Sequence, residues 1–357
     1  MDQNSITVTL TENKKEIPQS NQLEFGRIYS DHMFIMDYEA STGWHSPRIV
    51  PYQNLVLDPA AIVFHYGQTV FEGLKAYVTK QGNVQLFRPE KNMERLNRSN
   101  DRMCIPRIDE DFGLEAIKKL VSIDKDWIPT APGTSLYVRP FIISTEPYLG
   151  VAPSKKYQFI IILSPVGAYY KEGINPIKIA VESKFVRAVS GGTGEAKTAG
   201  NYAASLKAQE VVAEQGYAQV LWLDGVERNY IEEVGSMNIF FKINGEIVTP
   251  ALNGSILEGV TRNSVIELLK KWEIPVIEKQ ISMDDIYQAY QDGHLEEAFG
   301  SGTAAVISPV GELAWNDDKL KINNGEIGPI AKKLYDTLTG IQYGAEADPF
   351  GWIVEVE

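Results

Sequence analysis

A single cysteine, Cys104, stands in a chain of 357 residues. One thiol cannot close an intrachain disulfide, and it excludes zinc sites built from two to four thiolates. Histidine is almost as scarce: His32, His45, His65 and His294 lie far apart and none belongs to an H-E-x-x-H pair, so no metal centre is expected. The longest purely aliphatic or aromatic run is Phe159–Leu163, far short of the roughly 20 residues that cross a bilayer. Positive charge is in deficit as well: 34 Lys+Arg face 47 Asp+Glu, a net charge of −13, which does not suit nucleic-acid phosphates. The N-terminus has no basic stretch followed by an apolar one, so no secretory signal is expected and cytoplasm is the expected location.

What is present fits an ordinary globular protein of about two domains, with 44% hydrophobic and 23% charged residues. The first twenty or so residues are polar and unpatterned, as in a mobile tail or a peripheral strand. Two strands, Tyr77-Val78 and Val84–Phe87, flank the hairpin signal Gln81-Gly82-Asn83, and Pro89 then opens a helix to about Arg102. A second amphipathic helix runs from Glu110 to about Ile123, and Ser135–Arg139 and Tyr157–Leu163 read as strands. Residues 1–168 are therefore expected to form a small α+β domain, 169–176 a linker, and 177–357 a larger C-terminal domain. That second half begins with strand Ile177–Val181. It continues through a helix Asn201–Gln215, a strand Gln219–Leu223, a hairpin turning at Asn244-Gly245, a helix Thr261–Trp272 and a helix Pro329–Leu338.

The segment carrying most chemistry is Gly191-Gly-Thr-Gly-Glu-Ala-Lys197-Thr-Ala-Gly-Asn-Tyr202, a glycine-rich loop that delivers one lysine beside an aromatic hydroxyl. It is a near miss to a nucleotide-binding loop, since Gly191 lies six residues before Lys197 and Thr198 follows, yet Ala196 stands where that motif needs glycine. The other reading makes Lys197 the amine that binds pyridoxal phosphate, which needs an acid for the pyridine nitrogen and a cradle for the phosphate. Glu232 and Glu233, ahead of a strand, are acid candidates, with a solvated acidic turn as the plainer account. Glu258-Gly-Val-Thr-Arg262 opens a helix whose free N–H groups suit a phosphate. Phe299-Gly-Ser-Gly-Thr-Ala304 offers small residues that a substrate carboxylate could approach, or a plain turn.

Together with His65-Tyr-Gly-Gln-Thr-Val-Phe-Glu-Gly73, Leu86-Phe-Arg-Pro89 and Leu136-Tyr-Val-Arg-Pro140, these segments resemble the branched-chain amino acid aminotransferases, pyridoxal-phosphate enzymes of fold type IV. The resemblance runs from about Gly43 to Gly344. It implies a two-domain homodimer with a β-barrel-like sheet core in the C-terminal domain. Lys197 would then bind pyridoxal 5′-phosphate as a Schiff base and shuttle the substrate proton, Glu233 rather than Glu232 would face the pyridine nitrogen, and Tyr202 would meet the phenolic oxygen. Arg88, Ser236, Thr303 and the amides of Val260 and Thr261 would hold the phosphate. Tyr66 and Phe71, with Leu149 and Val151 from the other subunit, would line an apolar pocket. Tyr137 and Arg139, also from the partner, would serve polar parts of the substrate, and Thr303 and Ala304 its carboxylate end. The implied reaction moves an amino group between leucine, isoleucine or valine and 2-oxoglutarate. Within the fold the alternatives are a D-amino acid aminotransferase or an aminodeoxychorismate lyase. Mammalian members carry a Cys-x-x-Cys pair where this chain has Ala305 and Ser308, so thiol regulation there is not expected.

Overall fold

A computed structural model describes residues 5–167 and 174–357. Residues 169–173 of the expected linker lie outside the described residues. Contacts divide the chain into two compact units. The first comprises the described residues of Met1–Lys171 with Ala196–Ala199 and Gly340–Glu357, and the second those of Glu172–Glu195 with Gly200–Thr339. This differs from a single break near residue 170 in two places. The C-terminal strand Ile353–Val356 pairs antiparallel with Val84–Phe87, which draws the end of the chain to the first unit, and the four residues around Lys197 join that unit too. The first unit thereby takes the larger share of the chain.

The first unit is a nine-stranded sheet. Its centre is Lys156–Val166 beside Ser135–Ser144, followed by Leu74–Val78, Val84–Phe87 and Ile353–Val356. On the other side lie His32–Glu39, Gly43–Pro51 and the short Thr7–Val8, while Thr69–Phe71 also pairs with Ser135–Ser144. The N-terminal stretch is thus a peripheral strand. Helices Pro89–Arg102 and Glu110–Ile123 form where expected, the first with proline at its first position, the second with the Asp109 carboxylate accepting from the Phe112 amide at 2.9 Å. Their apolar faces bury Met93, Leu96, Ile117 and Leu120 against Phe34, Leu136 and Phe159. Each such leucine contributes about 1.5–3 kcal/mol.

In the second unit six strands close on themselves: Ile231–Val234, Gln219–Leu223, Ile177–Glu182, Val306–Trp315, Leu295–Gly302 and Met237–Ile243, the last returning to the first through the pair Glu233 and Asn238. Closure removes the free edges that an open sheet would expose. The stacked rings of Phe240 and Phe299, 5.2 Å apart, are wholly buried in it. Glu246–Pro250 and Val276–Lys279 extend the sheet beyond Met237–Ile243. The Asn244-Gly245 turn has positive φ at both residues, 51° and 80°, the geometry a tight hairpin requires. Two expectations are refined here: Glu232 and Glu233 precede the strand Met237–Ile243 as expected but themselves lie in a further strand, Ile231–Val234, and Phe299–Gly302 is the end of a strand, so that of that motif Thr303 and Ala304 are in the turn. No helix of the described residues is long and apolar enough to cross a membrane, and among them no cluster of His, Cys, Asp and Glu could hold a metal ion.

Candidate active site

In the first unit the Lys197 segment is stitched to strand Thr69–Phe71. The Lys197 carbonyl accepts from the Phe71 amide at 3.0 Å, its own N–H donates to Ser99 Oγ at 2.9 Å, and Thr198 Oγ1 donates to the Thr69 carbonyl at 2.7 Å. The ammonium stands 4.9 Å from the centre of the Phe71 ring. The Arg139 guanidinium lies 4.8 Å from the same ring centre and donates to the Tyr137 hydroxyl at 3.1 Å. Arg139 and Tyr137 thus stand beside the Phe71 ring that faces Lys197 of their own chain, where the resemblance had placed them on a partner. Their strand pairs directly with the Phe71 strand, Phe71 opposite Phe141.

Beneath this cluster Glu72 is completely buried. Its carboxylate takes Arg95 Nε at 2.7 Å and Nη2 at 2.9 Å, with Asn92 at 2.8 Å. Burial pushes the Glu72 carboxyl up, but the paired Arg95 and the nearby Lys197 outweigh it and hold it below the usual carboxylate range. Gly73 is required by packing: a Cβ there would lie 1.9 Å from the Tyr137 hydroxyl. Phe25, from the N-terminal segment, meets the Tyr137 ring edge-on at 4.9 Å. Sequence reading missed Phe25, Glu72 and Arg95, although the Phe-Glu-Gly motif pointed at one of them. The Tyr66 hydroxyl donates to the Leu149 carbonyl, and Tyr66, Leu149 and Val151 are all exposed. Arg88 is buried at the start of helix Pro89–Arg102, with φ +50° and its guanidinium 4.9 Å from the Trp352 ring.

The second unit holds a cavity of about 340 Å³ whose walls include Arg187, Tyr202, Trp222, Glu233, Ser236 and Leu257. Both glutamates of the pair are buried, on opposite faces of their strand, which rules out the solvated acidic turn. Glu233 faces this cavity and pairs with Arg187 at 2.6 Å. Glu232 turns away to Ser255 and Asn253. Arg187 carried no sequence signal.

Ser236 and Thr303 leave neighbouring strands at the same end of the barrel, because Asn238 pairs with Ser301 just inside them. Asn238 also fixes the turn before helix Val260–Lys271, donating to the Leu257 carbonyl at 2.9 Å; a Cβ on Gly259 would lie 2.1 Å from Asn238 Oδ1. That helix has no side-chain cap, so its first amides, Val260 and Thr261, are left for a ligand. A hydroxyl-lined barrel end, an uncapped helix start and a buried carboxylate in a cavity beside Tyr202 fit the phosphate, the ring nitrogen and the phenolic oxygen of pyridoxal phosphate.

Comparison with known proteins agrees. The family model described as Amino-transferase class IV matches residues 69–313. The chain is 71% identical over 356 residues to branched-chain-amino-acid aminotransferase 2 of Bacillus subtilis strain 168, covering 100% of this chain and 98% of that one. Among solved structures, the branched-chain amino acid aminotransferase of Escherichia coli superposes with a TM-score of 0.76 at 28% identity, over 91% of this chain and 99% of that one. The T.th. branched-chain amino acid aminotransferase complexed with N-(5′-phosphopyridoxyl)-L-glutamate gives 0.75 at 26% identity, over 90% and 98%. The chain belongs to the class IV aminotransferases.

Proposed function

We infer that the protein is a pyridoxal-phosphate-dependent transaminase that moves the amino group between L-leucine, L-isoleucine or L-valine and 2-oxoglutarate. Family membership, the 71% identity to a branched-chain enzyme and the phosphopyridoxyl-glutamate ligand of a structural neighbour support this reading over the other fold type IV activities. The nucleotide-loop alternative falls with them, and the Lys197 amide, the kind of group a phosphate loop presents, is given to Ser99. The observation that carries the reading is Glu233, a buried carboxylate on the wall of a cavity shared with Tyr202 and Ser236.

Bound pyridoxal phosphate supplies an electron sink for the charge left when the substrate Cα loses its proton. In this proposal Lys197 anchors the cofactor and moves that proton. Glu233 keeps a proton on the ring nitrogen, Arg187 gives the carboxylate its counter-charge, and Tyr202 meets the phenolic oxygen. Arg88, Ser236, Thr303 and the Val260 and Thr261 amides take the phosphate, whose charge and geometry match a guanidinium and fixed N–H donors. Phe71 lines the side-chain pocket, Tyr137 and Arg139 meet its polar occupants, and Thr303 and Ala304 approach the carboxylate.

A homodimer in the cytoplasm is part of the same proposal. Leu149 is 62% and Val151 86% exposed, and Tyr66, 43% exposed, bonds to Leu149, which leaves apolar surface suited to completing a second copy's pocket. Leucine and 2-oxoglutarate are expected to yield glutamate and 4-methyl-2-oxopentanoate in equal amounts, by a protein coloured yellow through its cofactor. Turnover of D-alanine or aminodeoxychorismate in place of leucine would reassign it within the fold, and sedimentation as a monomer would remove the shared pocket.

A further inference from the structure

One lysine of the first unit has no part in the reading above. Lys75 lies on strand Leu74–Val78, and its Cα partner in the antiparallel pairing with Ser135–Ser144 is Tyr137. Residues directly opposite in such a pair project to the same face with Cβ atoms about 4.5–5.5 Å apart. Tyr137 in turn accepts from Arg139, two residues along on that same face. Thus Lys75, Tyr137 and Arg139 stand together, with the Tyr137 hydroxyl lying over Gly73. Building on the transaminase reading, we propose that Lys75 is a specificity-determining residue that supplies a second cation to the side-chain carboxylate of the dicarboxylate substrate.

The chemistry favours two cations there. A pocket that accepts an aliphatic side chain is poor in water, and a lone buried carboxylate in it costs several kcal/mol. A cation that can lose its charge is cheaper to keep beside an aliphatic occupant than one that cannot. Burial lowers the Lys75 ammonium to about 8. Its charge is therefore present below that value and lost above it, so its help to a second carboxylate fades as pH rises through about 8.

Other charges nearby do not mimic this. Strand Val84–Phe87, on the far side of Leu74–Val78, carries no charged residue. Ser135–Ser144 carries only Arg139 as a charged residue. Tyr77, on the face of Lys75, meets Tyr343. On the N-terminal segment that brings Phe25 to Tyr137, Glu24 and Arg27 pair with each other in solvent, 3.7 Å apart. Lys197, which anchors the cofactor, faces both kinds of ligand alike and so cancels in a comparison.

The test is calorimetric binding to the holoenzyme of glutarate, which is glutamate without its amine, and of 4-methylpentanoate, which is leucine without its amine. Between pH 7 and pH 9.5, roughly, the ratio of their dissociation constants, glutarate over 4-methylpentanoate, is expected to rise about tenfold in the wild type. Lys75→Arg should hold the low ratio at every pH, and Lys75→Met the high one. A constant wild-type ratio, or a pH dependence that survives in Lys75→Arg, would overturn the proposal, and the wild-type titration needs no variant to fold. The transaminase reading stands separately on leucine-dependent formation of glutamate.

Discussion

Arg187 and Glu233 meet at 2.6 Å with their side chains only 8% and 5% exposed, while Glu232, next along the strand, bonds Ser255 and Asn253 on the opposite face. Two adjacent carboxylates thus have separate jobs. Glu233→Gln should leave the cofactor bound but slow turnover by on the order of ten- to a hundredfold, the equivalent of about 1.5–3 kcal/mol for a hydrogen bond to a charged group. Glu232→Gln should chiefly lower the melting temperature. Matching losses of kcat at both positions would show that the carboxylate facing the ring has been misassigned.

Lys197→Ala should remove the cofactor's near-visible absorption as isolated and bring transamination close to background. The amine above Phe71 is the only group proposed to move the Cα proton, and the strand contacts of residues 197 and 198 are mostly backbone, so the fold should survive. Circular dichroism alongside a leucine assay separates lost chemistry from lost structure.

Breaking the pair under Phe71 should cost stability in a pH-dependent way. Arg95→Met strands the buried Glu72 carboxylate, a loss of about 3–5 kcal/mol near neutral pH. The Glu72 carboxyl is held below its usual range in the folded protein, so the pair's contribution is present above that range and fades as pH falls through the folded value. The melting temperatures of wild type and variant should therefore converge in acid, and the double change Glu72→Gln with Arg95→Met should recover much of the loss. A gap that is constant from neutral pH to acid would assign the effect to packing.

Local rules made much of this molecule legible. Proline at the start of one helix, Asp109 at the cap of the next and Asn244-Gly245 in the hairpin each fix a turn within a few residues, and those elements stand where the sequence puts them. Contacts distant in the chain were not legible. Ile353–Val356 is four residues long and is a strand because Val84–Phe87 has a free edge some 270 positions earlier, roughly, a pairing no local pattern announces. Arg187 looked like any loop arginine, and only the closed barrel brings it to Glu233. The motif Phe71-Glu72-Gly73 was visible as a string, but its physics is three-dimensional: a ring shared by two cations, a carboxylate locked by a helix, and a missing Cβ that makes room for a hydroxyl.

That shared ring bears on how one pocket takes both an aliphatic side chain and the second carboxylate of glutamate. A purely structural role for Arg139 would pair it with an acid. Among the described residues no carboxylate pairs with it; Nη2 donates to Tyr137, Nε has no hydrogen-bond partner, and the guanidinium lies against Phe71 beside Lys197. A planar cation on an aromatic face presents apolar surface to leucine and N–H donors at its edge to a carboxylate, so a single side chain can serve both occupants. Arg139→Ala should raise KM for glutamate and 2-oxoglutarate about tenfold or more, a loss of about 1.4 kcal/mol or greater, with leucine changed far less. Measuring kcat/KM for both half-reactions in wild type and variant decides it: parallel losses for leucine and glutamate would give Arg139 to the scaffold, and a loss confined to the dicarboxylates would place it at the substrate.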